Sequence, residues 1–482
     1  MPLIVIYNLT VWQNIYVFNQ RTRGTNVLLL NNDTIIISGG YGDNFPNTIV
    51  VKLDQLGNFI SVRQTSDSRG GLVPGGYVIN PANDIIITGE GIIDNSGNNR
   101  DVTILRINTT NLTVIATRVM GLPGAAKDEI GRKILPYKQD TFIVGYRGID
   151  NNRFYIGIAK VRVSGSSITY VSSLSLPINI DYHFGGLDIV NDSAILIGNG
   201  SDGNTYIYLI NLQNYGILLN SRLNNTKIND VKFYNGRFYL TGMHNNDVYL
   251  AKLDRNLNLI QSCLFTPTSM TNNIDEAMRL FIENDRVIMI GNTNSFGDGY
   301  ETFILVTDTL CSSIIAQSRY GTPSDDIIYD AYKSALSIVA VGESYNVSPV
   351  SIYAIRIEGT LYLSCSEKPV GFTINSASSL NNNFTYNTSS ISDKGNANFD
   401  FTSSSPLLIN KIIICTPVSY DENKNCLMFN ITKNGIFVKG NGIIEIYQID
   451  GKFLLRREIN GSEFIKLKRG VYIINRRKIV IN

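Results

Sequence analysis

An apolar strand that runs into a glycine, DRVIMIGN (Asp285–Asn292), is one of seven such stretches along the chain. The other copies are DTIIISGG (Asp33–Gly40), DIIITGE (Asp84–Glu90), DTFIVGY (Asp140–Tyr146), SAILIGN (Ser193–Asn199), GRFYLTGM (Gly236–Met243) and LSIVAVGE (Leu336–Glu343). Their glycines, Gly39, Gly89, Gly145, Gly198, Gly242, Gly291 and Gly342, fall about fifty residues apart. A strand unit repeated at this period predicts a β-propeller, because each unit can bury its apolar faces only against its neighbours. After each run come a Gly/Asn/Asp turn, a third strand such as VVKLD (Val50–Asp54) or VYLAKLD (Val248–Asp254), a tight turn and a fourth strand. Residues Leu3–Phe18 precede the first full blade and are expected to lend a closing strand to the last. The period stops after about Val370. The reading is all-β: a seven-bladed β-propeller over residues 1–368, a Ser/Asn-rich linker or edge strands over 369–406, and a small β-sandwich over 407–482.

The 482 residues carry a net charge of +2 and only 17% charged side chains, so no strong field points to nucleic acid or a membrane surface. Tyrosine (26 residues), Asn, Ser and Thr replace the missing charge and give a hydrogen-bonding, extracellular-style surface. Asn-x-Ser/Thr acceptors at Asn108, Asn111, Asn191, Asn199, Asn224, Asn346, Asn383, Asn387, Asn430 and Asn460 fit that setting, as they fit an Asn/Thr-rich chain by chance. No apolar stretch is long enough to span a bilayer, and MPLIVIYNLTVWQNIYVFNQ (Met1–Gln20) reads as strands rather than a signal peptide. Of five cysteines, none forms a CxxC pair. Cys415 and Cys426 flank a polar loop and are the disulfide candidate; the state of Cys263, Cys311 and Cys365 is open.

Two stretches resemble known families. DDIIYDAYKSALSIVAVGE (Asp325–Glu343) and VVKLDQLG (Val50–Gly57) are similar to bacterial and archaeal propeller repeats with an apolar-Gly strand followed by K-L-D-x-x-G. GIIEIYQIDGKFLL (Gly442–Leu455) with LKRGVYII (Leu467–Ile474) resembles the C-terminal sorting domain of type IX secretion substrates, which implies a small antiparallel sandwich and export to a surface. This tail is also basic, with Lys452, Arg456, Arg457, Lys466, Lys468, Arg469, Arg476, Arg477 and Lys478, either a solvated strand face or a cationic one. The Ile/Asn/Tyr-rich, charge-poor style resembles structural proteins of viruses infecting hot-environment archaea.

Chemistry is sparse. His183 and His244 are the only imidazoles, and no nucleophile elbow, HExxH or phosphate loop occurs. Counting back from the anchor glycines places Asp128, Asp181, Asp275 and Asp325 at the start of first strands, where they predict a carboxylate-lined channel mouth or, more plainly, turn caps. Loops after the second strands hold Tyr41, Asp43, Tyr146, Asp202, His244, Asp298, Tyr300 and Tyr345, a set of rings, carboxylates and an imidazole suited to sugar hydroxyls and C–H faces. The expectation is a non-catalytic recognition or structural protein, extracellular or on a virion surface, that binds a glycan or surface protein and possesses no metal or cofactor. Other structural subunits are further candidate partners. A polysaccharide hydrolase or lyase using the Asp cluster with His183 or His244 is the alternative.

Overall fold

The computed structural model describes residues 12–481 apart from 31–32, 43–46, 66–72, 81, 93–99, 122–127, 151–152, 177–181, 269–273, 298, 335–336, 359–371, 377–379, 383–391, 396–400, 403–407, 416–426, 433–434, 449–452, 467–469 and 475–476. Two compact units result, Trp12–Ile414 and one containing Cys415–Asn482.

The larger unit is a seven-bladed propeller. Its innermost strands are Thr22–Leu29, Val73–Ile79, Glu129–Lys138, Tyr182–Val190, Thr226–Tyr234, Asp275–Glu283 and Asp326–Lys333. Each packs against the next, and the last against the first, so the ring is closed. Blade 7 takes its fourth strand from the N-terminus: Trp12–Phe18 pairs with Ser351–Glu358 from Trp12↔Arg356 to Tyr16↔Ile352. The same strand reaches blade 1, since Trp12 Nε1 donates to the Gln55 carbonyl at 3.1 Å and Tyr16 Oη to the Gly57 carbonyl at 2.6 Å. Joining both ends of the propeller in one blade removes a free edge that would otherwise invite opening.

Three local rules recur because of how blades touch. First, every innermost strand carries a register shift, one extra residue placed beside the anchor glycine. A Cβ on Gly342 would lie 1.7 Å from the Ile327 carbonyl oxygen, and on Gly242 1.9 Å from that of Lys227. Gly39 and Gly291 meet the same obstacle, so glycine is required beside the bulge there, while Gly145 and Gly198 instead make room for the Phe184 ring and the Ile156 side chain. Second, the basic residue of the third strand ties its blade to the next. Lys52 donates to the Thr109 carbonyl (3.0 Å), Lys160 to Leu212 (2.5 Å), Lys252 to Thr309 (3.2 Å), Arg356 to Gln55 (3.1 Å), and Arg106 to Gly165. Third, the Asp or Asn two residues later closes the hairpin turn: Asp54 Oδ1 accepts from the Leu56 and Asn58 amides, and Asp254 and Asp308 repeat the pattern. The K-L-D signature is thus a blade joint followed by a turn.

Blades 5 and 6 are also joined covalently, by a disulfide between Cys263 and Cys311. Cys426 and Cys365 lie outside the described residues, and the Cys415–Cys426 pairing falls there with them.

The segment 369–406 adds outer strands to the propeller. Phe372–Ser376 pairs with blade 5, Leu380–Asn382 with blade 4, Ser392–Gly395 with blade 2 and Phe401–Thr402 with blade 1. Leu408–Cys415 then pairs with the N-terminal strand of blade 7. The chain travels backwards around the propeller as a belt. Buried side chains help fasten it. Phe372 is buried against Phe303 (5.5 Å between centroids) and Phe296 (6.0 Å), and Lys394 bonds both oxygens of the fully buried Asp101 at 2.8 and 2.9 Å.

In the second unit the described strands Leu427–Thr432, Gly435–Gln448, Phe453–Lys466, Gly470–Ile474 and Arg477–Ile481 form one five-stranded antiparallel sheet. Its centre is a long hairpin paired from Gly435↔Lys466 to Tyr447↔Phe453. A second layer, which a sandwich requires, is not among the described residues. Of the tail's basic residues, Lys452, Lys468, Arg469 and Arg476 lie outside them.

Candidate functional site

The sequence-selected residues divide sharply. Tyr146 and Tyr41 are core, 0% and 6% exposed, because their strands run on past the anchor glycine instead of turning there. Tyr146 Oη meets Ser175 Oγ at 2.6 Å between the third and fourth strands of its own blade. Asp275 is 1% exposed; its oxygens accept from Ser295 Oγ at 2.6 Å and from Thr293 Oγ1. Burial raises its pKa, with those two hydroxyls opposing. Asp128 accepts from the Arg100 amide at 3.0 Å. Asp275 and Asp128 are therefore fastened within and between blades 2, 3 and 6 and do not line a common mouth. Asp43, Asp181 and Asp298 lie outside the described residues. Asp202 is exposed in a turn closed by Tyr206 Oη (2.7 Å) and Asn204 (2.7 Å to Nδ2). His244 is half-buried against the Tyr249 ring, and burial lowers its pKa. Asn199 clasps the Ile228 backbone of the next blade through both side-chain atoms, so this glycosylation motif is not presented at the surface.

Three selected residues do converge, where blades 6, 7 and 1 meet. Asp325 Oδ1 accepts from the Tyr300 amide at 2.8 Å, and its carbonyl from the Tyr345 amide at 2.9 Å. Tyr345 is 43% exposed, and its hydroxyl donates to Glu343 Oε1 at 3.1 Å and meets Arg21 at 3.4 Å. Tyr329 Oη donates to the same Glu343 oxygen at 2.5 Å. Burial and the neighbouring Glu343 both raise the Tyr345 pKa, keeping the phenol a donor. The result is an exposed ring held in place by charged groups on rigid strands. A second ring cluster lies on blades 3 and 4: the Arg147 guanidinium sits 4.6 Å over Phe154, which stacks 5.4 Å from His183. Arg147 also donates to His183 Nδ1 at 3.0 Å, so that nitrogen carries the lone pair.

The axis holds a further set that counting from the glycines did not select as a site. The residue just past each bulge points inward, and in sequence order these are Asn26, Gly76, Lys133, Gly186, Asp230, Arg279 and Asp330. Lys133 reaches across Gly186, which has no side chain, to Asp230 Oδ1 at 2.6 Å. Asp230 Oδ2 accepts from the Leu280 amide at 3.1 Å. Arg279 Nε bonds Asp330 Oδ1 at 2.5 Å, and Asp330 Oδ2 accepts from the Val27 amide at 2.9 Å. Burial alone would raise the Asp230 pKa, but Lys133, Lys232 and Arg279 outweigh it and hold the carboxyl at about 2. The channel they line encloses about 420 Å³.

No protein-family model matches the chain, and no curated protein matches its sequence. Solved structures resemble it at fold level. The β-propeller domain of Cps50 (Swd1) from Myceliophteria thermophila is 9% identical over 71% of this chain and 99% of its own, with a TM-score of 0.41. The computationally designed Ika8 protein is 10% identical over 71% and 99%, at 0.38. The polysaccharide lyase Uly1 is 7% identical over 70% and 90%, at 0.41.

Proposed function

We propose that this chain is a non-catalytic recognition or structural protein on an exposed surface, binding a glycan or protein through the propeller face at the Tyr345 cluster. The observation that carries the reading is Tyr345 itself: an exposed ring fixed at its hydroxyl by Glu343 and Arg21, the arrangement that stacks on a sugar face while charged neighbours take hydroxyls. Against catalysis stands the engagement of the acids that would serve. Asp275 is occupied by two hydroxyls, and Asp325 Oδ1 by the Tyr300 amide. The inter-blade disulfide and the belt suit a chain that must hold its shape in an oxidising, extracellular setting. A virion surface or tail component of an archaeal virus is the concrete form, and a secreted adhesin with its C-terminal sheet as a surface tether is the competing one.

A glycan array probed with the full chain and with Tyr345→Ala tests the binding role. Selective glycan binding that falls at least tenfold in the variant is expected, on the scale of a lost aromatic stacking contact. Binding unaffected by the substitution would remove this face from the function.

A further inference from the structure

We propose that the axial channel is an oxyanion site that takes an acidic sugar, a carboxylate or sulfate carried on a glycan. This deepens the glycan-binding reading and rests on it. The cavity is lined by five cations, Arg132, Lys133, Lys232, Arg279 and Lys333, against two carboxylates. Both carboxylates are already engaged, Asp230 by Lys133 and the Leu280 amide, Asp330 by Arg279 and the Val27 amide. Lys333 pairs with Glu283 at 2.6 Å. Among the described residues the Arg132 and Lys232 side chains have no ion-pair or hydrogen-bond partner. Asp188, level with Lys232 in blade 4, commits Oδ2 to the Phe233 amide. Positive charge therefore remains uncompensated in a confined, low-dielectric space, where a fixed cation attracts an anion most strongly. Burial and repulsion from nearby Arg147, offset in part by Glu90, depress Arg132 to about 10.

The geometry also explains why the ligand is a sugar acid rather than a bare ion. Arg132 stands at the bulge and Lys232 two residues beyond the ion-pair level, so the unpaired cations are separated along the axis by about three residues of strand, roughly 10 Å. Level with Lys232 the wall turns apolar with Phe281, Tyr332 and Val78. A space of about 420 Å³ with ring faces and charges at separate levels suits a short charged saccharide.

Calorimetry on the full chain tests this with oligogalacturonate, a sulfated disaccharide, a neutral oligosaccharide of equal length, and inorganic sulfate. Acidic saccharides are expected to bind, weakening with salt, while the neutral one does not. Arg132→Gln and Lys232→Gln should each reduce affinity about tenfold, the scale of one charged hydrogen bond. Arg132→Gln should melt like the parent, because among the described residues its side chain has no ion-pair or hydrogen-bond partner, whereas Lys232→Gln should melt slightly lower, because it gives up its attraction to the buried Asp230 carboxylate. Inorganic sulfate binding as tightly as the saccharides would overturn the sugar assignment. Acidic saccharides lost in Tyr345→Ala but retained in Arg132→Gln would overturn the channel site while leaving the surface-binding role intact. Binding of no saccharide would sink the channel site and the glycan form of the surface role together, leaving a protein as that face's ligand.

Discussion

Asp230→Asn is the most direct test of what holds the centre of the propeller together. Asp230 is 1% exposed and bonds Lys133 of blade 3 and the Leu280 amide of blade 6, so one carboxylate links three blades. Its pKa is about 2 in the folded protein, against about 3.9 unfolded, a difference worth about 2.5 kcal/mol of stability near neutral pH. Because the folded value is depressed, this contribution is present above the unfolded pKa and disappears as pH falls through the folded one. Asparagine keeps the shape and removes the charge, leaving Lys133 buried beside Lys232 and Arg279. Urea unfolding of both proteins should therefore differ by about 2.5 kcal/mol at pH 7 and by only about 1.3 kcal/mol at pH 3. A Lys133→Met background should shrink the pH 7 difference, since the stranded cation is then gone. A difference below about 0.5 kcal/mol at pH 7, or one that does not change with pH, would refute the idea that this pair ties the blades.

Two further outcomes bear on the outer propeller. Replacing Cys263 and Cys311 by serine opens a 48-residue loop and should cost about 4 kcal/mol by loop entropy, seen as a reductant-insensitive, lowered denaturation midpoint. Phe372→Ala empties the pocket between Phe296 and Phe303; a loss of about 3 kcal/mol and faster protease cleavage within 369–406 are expected, and unchanged cleavage would mean that the belt is held elsewhere.

The propeller was legible because its devices are local. A glycine beside a bulge, a lysine or arginine on a third strand and an aspartate closing the next turn each sit within one repeat, so they recur with the period. Tyr41 and Tyr146 misled because loop-like residue types continue a strand, and only packing shows that the second strand runs past its glycine. Asp275 misled for the same reason: alternation places it at the strand's entry, but Thr293 and Ser295 of the same blade fold over it. The axial set escaped notice because its partners lie 97 and 51 residues apart and belong to different blades.

The belt shows the same limit from the other side. Thr373–Pro406 is written in Ser, Asn and Thr, which favour turns, and only the brief alternations at Phe384–Tyr386 and Phe399–Phe401 hint at edge strands there. Its strands form because blades 5, 4, 2 and 1 present open edges with unpaired backbone groups, and any extended chain tethered beside them satisfies those groups. By itself the sequence determined the repeat, its sevenfold count and the chemistry of every turn, since these depend on neighbours a few residues away. Which carboxylate meets which cation, and which cations are left without one, was decided only when the ring closed, because charge compensation at the axis is a property of seven blades together.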